Sequence, residues 1–216
     1  MKPTFARLHV LLAREARVGL VIRHGTAKSV CTLLWDRRKD EFTLGQWMRG
    51  RIDIETCDLS PDGKHFLYSA QKYVNAAWQT QYWTVVSHTP YLKAVAYYPG
   101  RVRGGWFVNN RDYFVQAGEP HPDDRESEEV RRVESDPPAP SLYAARLVRA
   151  GWAIEDLRAR FNGRLEFVRS AGAGFELRYE RRRGYQLSCG DLVVDTRGWD
   201  WAGLDSQGSS LDRHAA

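Results

Sequence analysis

Long apolar runs are missing from these 216 residues. No stretch of 18 exists, so no membrane span is expected. The apolar stretch 10–13 is too short for a signal-peptide core, and Arg7, His9, Arg14, Glu15, Arg17 and Arg23 break up its surroundings. Cysteine is scarce: Cys31, Cys57 and Cys189 are odd in number and lack metal-ligand spacing. That excludes a disulfide framework and leads us to expect reduced, buried thiols and a cytoplasmic protein. No Gly-x-Ser-x-Gly elbow and no His-Glu-x-x-His helix occurs. Gly172-Ala173-Gly174 precedes an expected strand, not a helix, and so lacks anion-loop geometry. No cofactor and no metal are expected. Lysine is also scarce, at 6 against 26 arginines, an excess common in proteins of GC-rich bacterial genomes.

What is present is enough for a core: 43% hydrophobic and 27% charged residues exclude a disordered chain. The net charge of +5 is unevenly spread. Residues 1–118 carry 17 basic and 9 acidic side chains (+8), residues 119–136 carry 3 and 8 (−5), and residues 137–216 carry 12 and 10 (+2). A basic front of this kind suits an acidic protein or nucleic acid. Residues 119–140 hold five prolines and almost no large apolar residue, so a flexible acidic loop is expected, free to fold over the basic front.

Residues 1–118 read as successive short strands. Val18–Arg23 is apolar enough to be central, and Val30–Trp35 and Glu41–Leu44 make a hairpin around a polar turn. Leu59-Ser60-Pro61-Asp62-Gly63-Lys64 is a tight-turn sequence, with Pro61 presetting φ and Gly63 accepting positive φ. The apolar strand His65-Phe66-Leu67-Tyr68 follows at once. Strands are also expected at 82–87, 92–98, 105–109 and 113–116. In the last segment, 141–216, Ser141 is an N-cap for a short helix over 142–150, with Gly151 as its stop, and strands resume at 164–169, 175–180, 185–188 and 192–195. This segment is expected to pack on the first, making one domain.

The Ser-Pro-Asp-Gly turn before an apolar strand resembles the hairpin in blades of TolB-like and WD-repeat β-propellers. The resemblance covers roughly 28–116 and extends to small bacterial proteins carrying a single blade motif. It implies a mostly β fold of antiparallel propeller-like blades, a partial propeller or strongly bent sheet, with one short helix. It implies no activity.

Leu20-Val21-Ile22-Arg23-His24-Gly25 resembles the opening of the histidine phosphatase superfamily, and Ser87-His88 resembles its second histidine. That resemblance implies a phosphoryl-accepting His24, an Arg23 clamp and a nearby His88. It is judged coincidental. The two histidines are 64 residues apart, and the stretch between them holds a hairpin and a tight turn where a βα unit would be needed.

Asp53 and Glu55 share one face of an expected strand, an arrangement that more often marks a wet strand face than a metal or acid–base site. Arg181, Arg182 and Arg183, near Tyr179 and Tyr185, form a basic hairpin tip that is a weaker candidate for single-stranded nucleic acid. Of eight tryptophans most belong in cores, but Trp47, Arg49 and Arg51 combine the residue types that dominate protein interfaces. The reading reached is a non-catalytic protein-binding module of a bacterial cytoplasm, with an immunity or inhibitor protein as its specific form. A phosphatase-like enzyme and a nucleic-acid-binding protein are the alternatives.

Overall fold

The computed structural model describes residues 6–25, 28–74, 79–100, 104–116, 120–134, 141–155, 165–172, 174–180, 183–196, 199–204 and 211–215. The chain is mostly β and divides into two compact units, 1–136 and 137–216.

The first unit begins with two antiparallel meanders in chain order. β1 (Arg7–Leu12), β2 (Val18–His24), β3 (Ser29–Asp36) and β4 (Glu41–Arg49) make the first sheet. The chain reverses at Gly50, and β5 (Arg51–Leu59), β6 (His65–Val74), β7 (Gln79–His88) and β8 (Ala94–Pro99) make the second. The near-continuous apolar run of β2 fits its central position, because both faces are covered. Leu11, Leu20, Ile22 and Val30 of the first sheet pack on Ile52, Phe66, Tyr68 and Val85 of the second. Each such side chain contributes about 1.5–3 kcal/mol on burial.

The second sheet is buried on its other face as well. There Leu67, Val86, Ala96 and Tyr98 meet Phe107, Tyr113 and Val115 of a third sheet. That sheet pairs β9 (Gly105–Phe107) with β10 (Asp112–Val115) and, in parallel, β11 (Arg131–Arg132). One turn holds the three sheets together. The Ser60 hydroxyl donates to Asp62 and accepts from the His65 amide. The Pro61 carbonyl accepts from the Glu15 amide, and the Asp62 amide donates to the Asn110 side chain. Gly63 sits at φ +77°, and a Cβ there would lie 2.2 Å from Val18 Cγ2.

The acidic segment is not a loose loop over its described part. Residues 120–134 are packed into the first unit. The Arg125 backbone pairs with Tyr97, β11 pairs with β10, and Val130 is buried in the second core. Arg131 makes a two-pronged ion pair with Asp112. Sequence averages hid this because one valine and backbone pairing suffice to dock a polar segment. Residues 119 and 135–140 lie outside the described residues.

The second unit opens with α1 (Leu142–Arg149), capped by the Ser141 hydroxyl on the Ala144 amide and followed by Gly151 at φ +86°. A five-stranded antiparallel sheet follows: β12 (Ala153–Ile154), β13 (Glu166–Gly172), β14 (Phe175–Glu180), β15 (Gly184–Cys189) and β16 (Leu192–Val194). Its core gathers Ala144, Trp152, Phe167, Leu177 and Leu187. β17 (Trp199–Leu204) and β18 (Leu211–Ala215) form a separate hairpin. None of the three cysteines is in a disulfide, and Cys31 and Cys57 are buried. Among the described residues no helix is long and apolar enough to cross a membrane.

Candidate functional site

Cross-strand pairing decides which residues share a face. Trp35 lies opposite Phe42, Leu33 opposite Leu44 and Cys31 opposite Trp47. Two residues of β4, Gly45 and Gln46, face the single residue Thr32, which makes a bulge. Without that extra residue, alternation would send Trp47 to the face opposite Phe42 and Leu44. With it, all three point the same way.

This face is closed toward β1, where Val10, Val21 and Cys31 are buried, and it opens at β4. There Phe42, Leu44 and Trp47 are 50%, 59% and 53% exposed. β4 is a terminal strand of its sheet, so exposed apolar side chains and a sheet edge coincide. Trp35 and Phe42 stack, with centroids 5.7 Å apart and planes within 8°. The Arg37 guanidinium lies 5.7 Å from the Trp35 ring, and the Arg23 guanidinium 5.9 Å from the Trp47 ring. Arg49, two residues after Trp47, shares its face, while Met48 between them packs on the first core. Arg51 is exposed but belongs to β5, beyond the reversal at Gly50. Of the three expected interface residues, two therefore share a surface, and Arg23, Phe42 and Leu44 join them. Phe42 and Leu44 were visible as an alternating pair, but the bulge that recruits Trp47 was not.

The phosphatase-like constellation does not assemble. Neighbouring strand residues point to opposite faces, so Arg23 lies over Trp47 while His24 turns toward the Ile52 backbone. Burial, chiefly, and the nearby Arg51 and Arg7 hold the His24 pKa below its ordinary value, against the hydrogen bond to Ile52. Among the described residues its Nε2 is buried without a partner. Ile52 pairs with Ala70, whereas His88 pairs with His65, five residues away along β6. That is about 17 Å at roughly 3.4 Å per residue.

His88 has different company. It faces His65 in register, with ring centroids 5.1 Å apart. The Glu129 carboxylate bridges them, Oε1 at 3.0 Å from His65 Nε2 and Oε2 at 3.1 Å from His88 Nε2. The hydrogen bond with His65 holds the Glu129 carboxyl below the usual carboxylate range, against some desolvation and with help from His88. Sequence reading missed the pairing of His65 with His88 because the 65–68 and 82–87 strands were not paired with each other. It missed Glu129 because the segment carrying it was read as flexible.

Asp53 and Glu55 do not form a regular wet face. The β5–β6 register breaks between Asp53 and Asp58, and the Asp53 carboxylate accepts from the Glu55 amide in a local turn. At the second unit's hairpin tip, Arg183 is paired with Glu180, and Arg178 with Glu155, Glu166 and Glu176. Tyr179 and Tyr185 pack against the core of that unit, 4.7 Å from each other. Of the three expected arginines Arg183 is the described one, an exposed side chain paired with Glu180; Arg181 and Arg182 lie outside the described residues.

Comparison with family models, curated proteins and solved structures returns no match.

Proposed function

We propose that this chain is a non-catalytic binding module whose first unit engages an acidic protein through the open face of β4. The observation that carries the reading is the alignment of Phe42, Leu44 and Trp47 on one exposed edge with Arg23 and Arg49 on the same face. Aromatic side chains with arginine beside them supply most of the free energy of protein interfaces. With the docked acidic segment included, residues 1–136 carry a net +3, and Arg23, Arg37 and Arg49 concentrate positive charge at the aromatic face, which favours an acidic partner and speeds encounter. An immunity or inhibitor protein that covers a partner's site is the specific form of this reading. The two four-stranded meanders packed face to face support a blade-like arrangement, which leaves the last strand of the first meander as a binding edge. The buried thiols favour a reducing, cytoplasmic setting.

The test is capture from cells that encode the protein, with wild type, a Phe42→Ser/Trp47→Ser variant and an Arg23→Ala/Arg49→Ala variant side by side. The same acidic protein should be retained by wild type and lost from the aromatic variant. Retention should weaken for the arginine variant and at high salt, where surface charges are screened within about 3 Å at 1 M. Equal retention by all three, or dominant recovery of nucleic acid, would overturn the proposal.

A further inference from the structure

We propose that His65, His88 and Glu129 hold a divalent transition-metal ion of the zinc class. The backbone sets up the pair. The His65 amide and carbonyl are both bonded to Ser60, on the β5 side of β6. His65 and His88 therefore face each other as a non-hydrogen-bonded pair, the closer of the two antiparallel spacings. Both rings turn Nε2 toward the same carboxylate, and the three ligand atoms lie within 4.8 Å of one another. Ligands of a tetrahedral zinc ion at about 2.0–2.1 Å stand roughly 3.4 Å apart. Each His Nε2 already lies 3.0 or 3.1 Å from its own carboxylate oxygen and the three ligand atoms lie within 4.8 Å, so side-chain rotation brings them to that spacing. Two imidazoles and a carboxylate are a donor set that suits zinc and its neighbours more than calcium or magnesium.

The third ligand is delivered by an anchored segment. Val130, next to Glu129, is buried in the second core, and Arg131 is bound to Asp112. The Arg111 guanidinium holds the Glu128 carbonyl, and the Ser127 hydroxyl accepts from the Glu129 amide. The His65 side chain is 9% exposed, while His88 and Glu129 are 52% and 46% exposed. One ligand is thus fixed in the interior and two face solvent, leaving an entry path and an open coordination position. The ion would pin the acidic segment to the β6–β7 hairpin. Among the described residues His65 Nδ1 is buried without a partner, so these residues do not supply the outer hydrogen bond that usually tunes such a ligand. Affinity should then be roughly 10–100-fold below that of a comparable site with that bond.

The experiment uses the untagged full chain and zinc ion in competition with a chromophoric chelator, with cobalt absorption as a second readout. Wild type should bind one equivalent and show the d–d bands of a low-symmetry cobalt site. His88→Ala and Glu129→Gln, both at solvent-facing positions, should each weaken binding more than the roughly 10–100-fold that loss of an outer partner costs. His121→Ala and Cys189→Ser should leave it unchanged. Zinc should raise the unfolding midpoint of wild type and not of the two ligand variants. No binding by wild type, or stoichiometric binding that survives both ligand substitutions, would overturn the site.

Discussion

The Thr32 hydroxyl accepts the Gln46 amide hydrogen at 3.2 Å and donates to the Pro90 carbonyl, on the inner face of the β3–β4 bulge. That one side chain locks the extra residue that brings Trp47 into line with Phe42 and Leu44. Thr32→Val keeps the shape and removes both bonds. It should cost about 1–3 kcal/mol, since the buried Pro90 carbonyl contact and the partly buried Gln46 amide contact are both lost. Gly45→Ala attacks the same bulge by crowding, because a Cβ would lie 2.4 Å from the Pro90 carbonyl oxygen. Urea midpoints of both variants check this, and neither should stand within error of wild type.

The Ser-Pro-Asp-Gly turn gives a contrast between conformation and space. Gly63 and Gly184 share nearly the same positive φ, +77° and +82°. A Cβ at Gly63 meets Val18, whereas among the described residues nothing lies within 4 Å of one at Gly184. Gly184→Ala should therefore cost only the backbone term of about 1–2 kcal/mol. Gly63→Ala should cost more, by about 1–3 kcal/mol of overpacking. Equal losses in chemical denaturation would show that the turn does not clamp the sheets.

Tyr98 and Tyr113 share a buried hydrogen bond, oxygen to oxygen at 2.7 Å, between the second and third sheets. Tyr98 also donates to the Glu126 carboxylate, so Tyr98→Phe strands the Tyr113 hydroxyl and should destabilise by about 1–3 kcal/mol, whereas Tyr113→Phe leaves Tyr98 a partner and should cost less. The double Tyr98→Phe/Tyr113→Phe variant should lose less than the two singles together, with a coupling of about 0.5–1.5 kcal/mol. A double-mutant cycle measures it.

His24 makes stability fall in mild acid. Its folded pKa lies below the unfolded value of 6.5, mainly because burial disfavours the charged ring. The unfolded chain then takes up the proton first. The contribution is complete above pH 6.5 and is lost as pH falls toward the folded value. His24→Gln should flatten this interval, so wild type should lose more stability than the variant between pH 7.5 and 5.5. Parallel urea midpoints for the two proteins would show the opposite.

Local structure was largely legible. The central strand at 18–23, the 30–44 hairpin, the turn at 59–64 and the Ser141-capped helix all follow from apolar runs and turn chemistry, and all are present. Pairing across the sequence was not legible. The β6–β7 register that joins His65 to His88 depends on a hairpin whose strands were read separately. Docking of residues 120–134 rests on Val130 and backbone bonds, which composition does not register. The Asp53–Asp58 irregularity and the Thr32 bulge likewise depend on contacts between strands, not on either strand alone.

Site-specific photocrosslinking tests the binding claim most directly. A photoreactive residue replaces Leu44 on the open face of β4 or, as a control, the equally exposed Val193 of β16, in cells that encode the protein. The account predicts one discrete crosslinked protein from position 44, abolished by Trp47→Ser and absent from position 193. Equal crosslinking from both positions, or a position-44 product indifferent to Trp47→Ser, would contradict it.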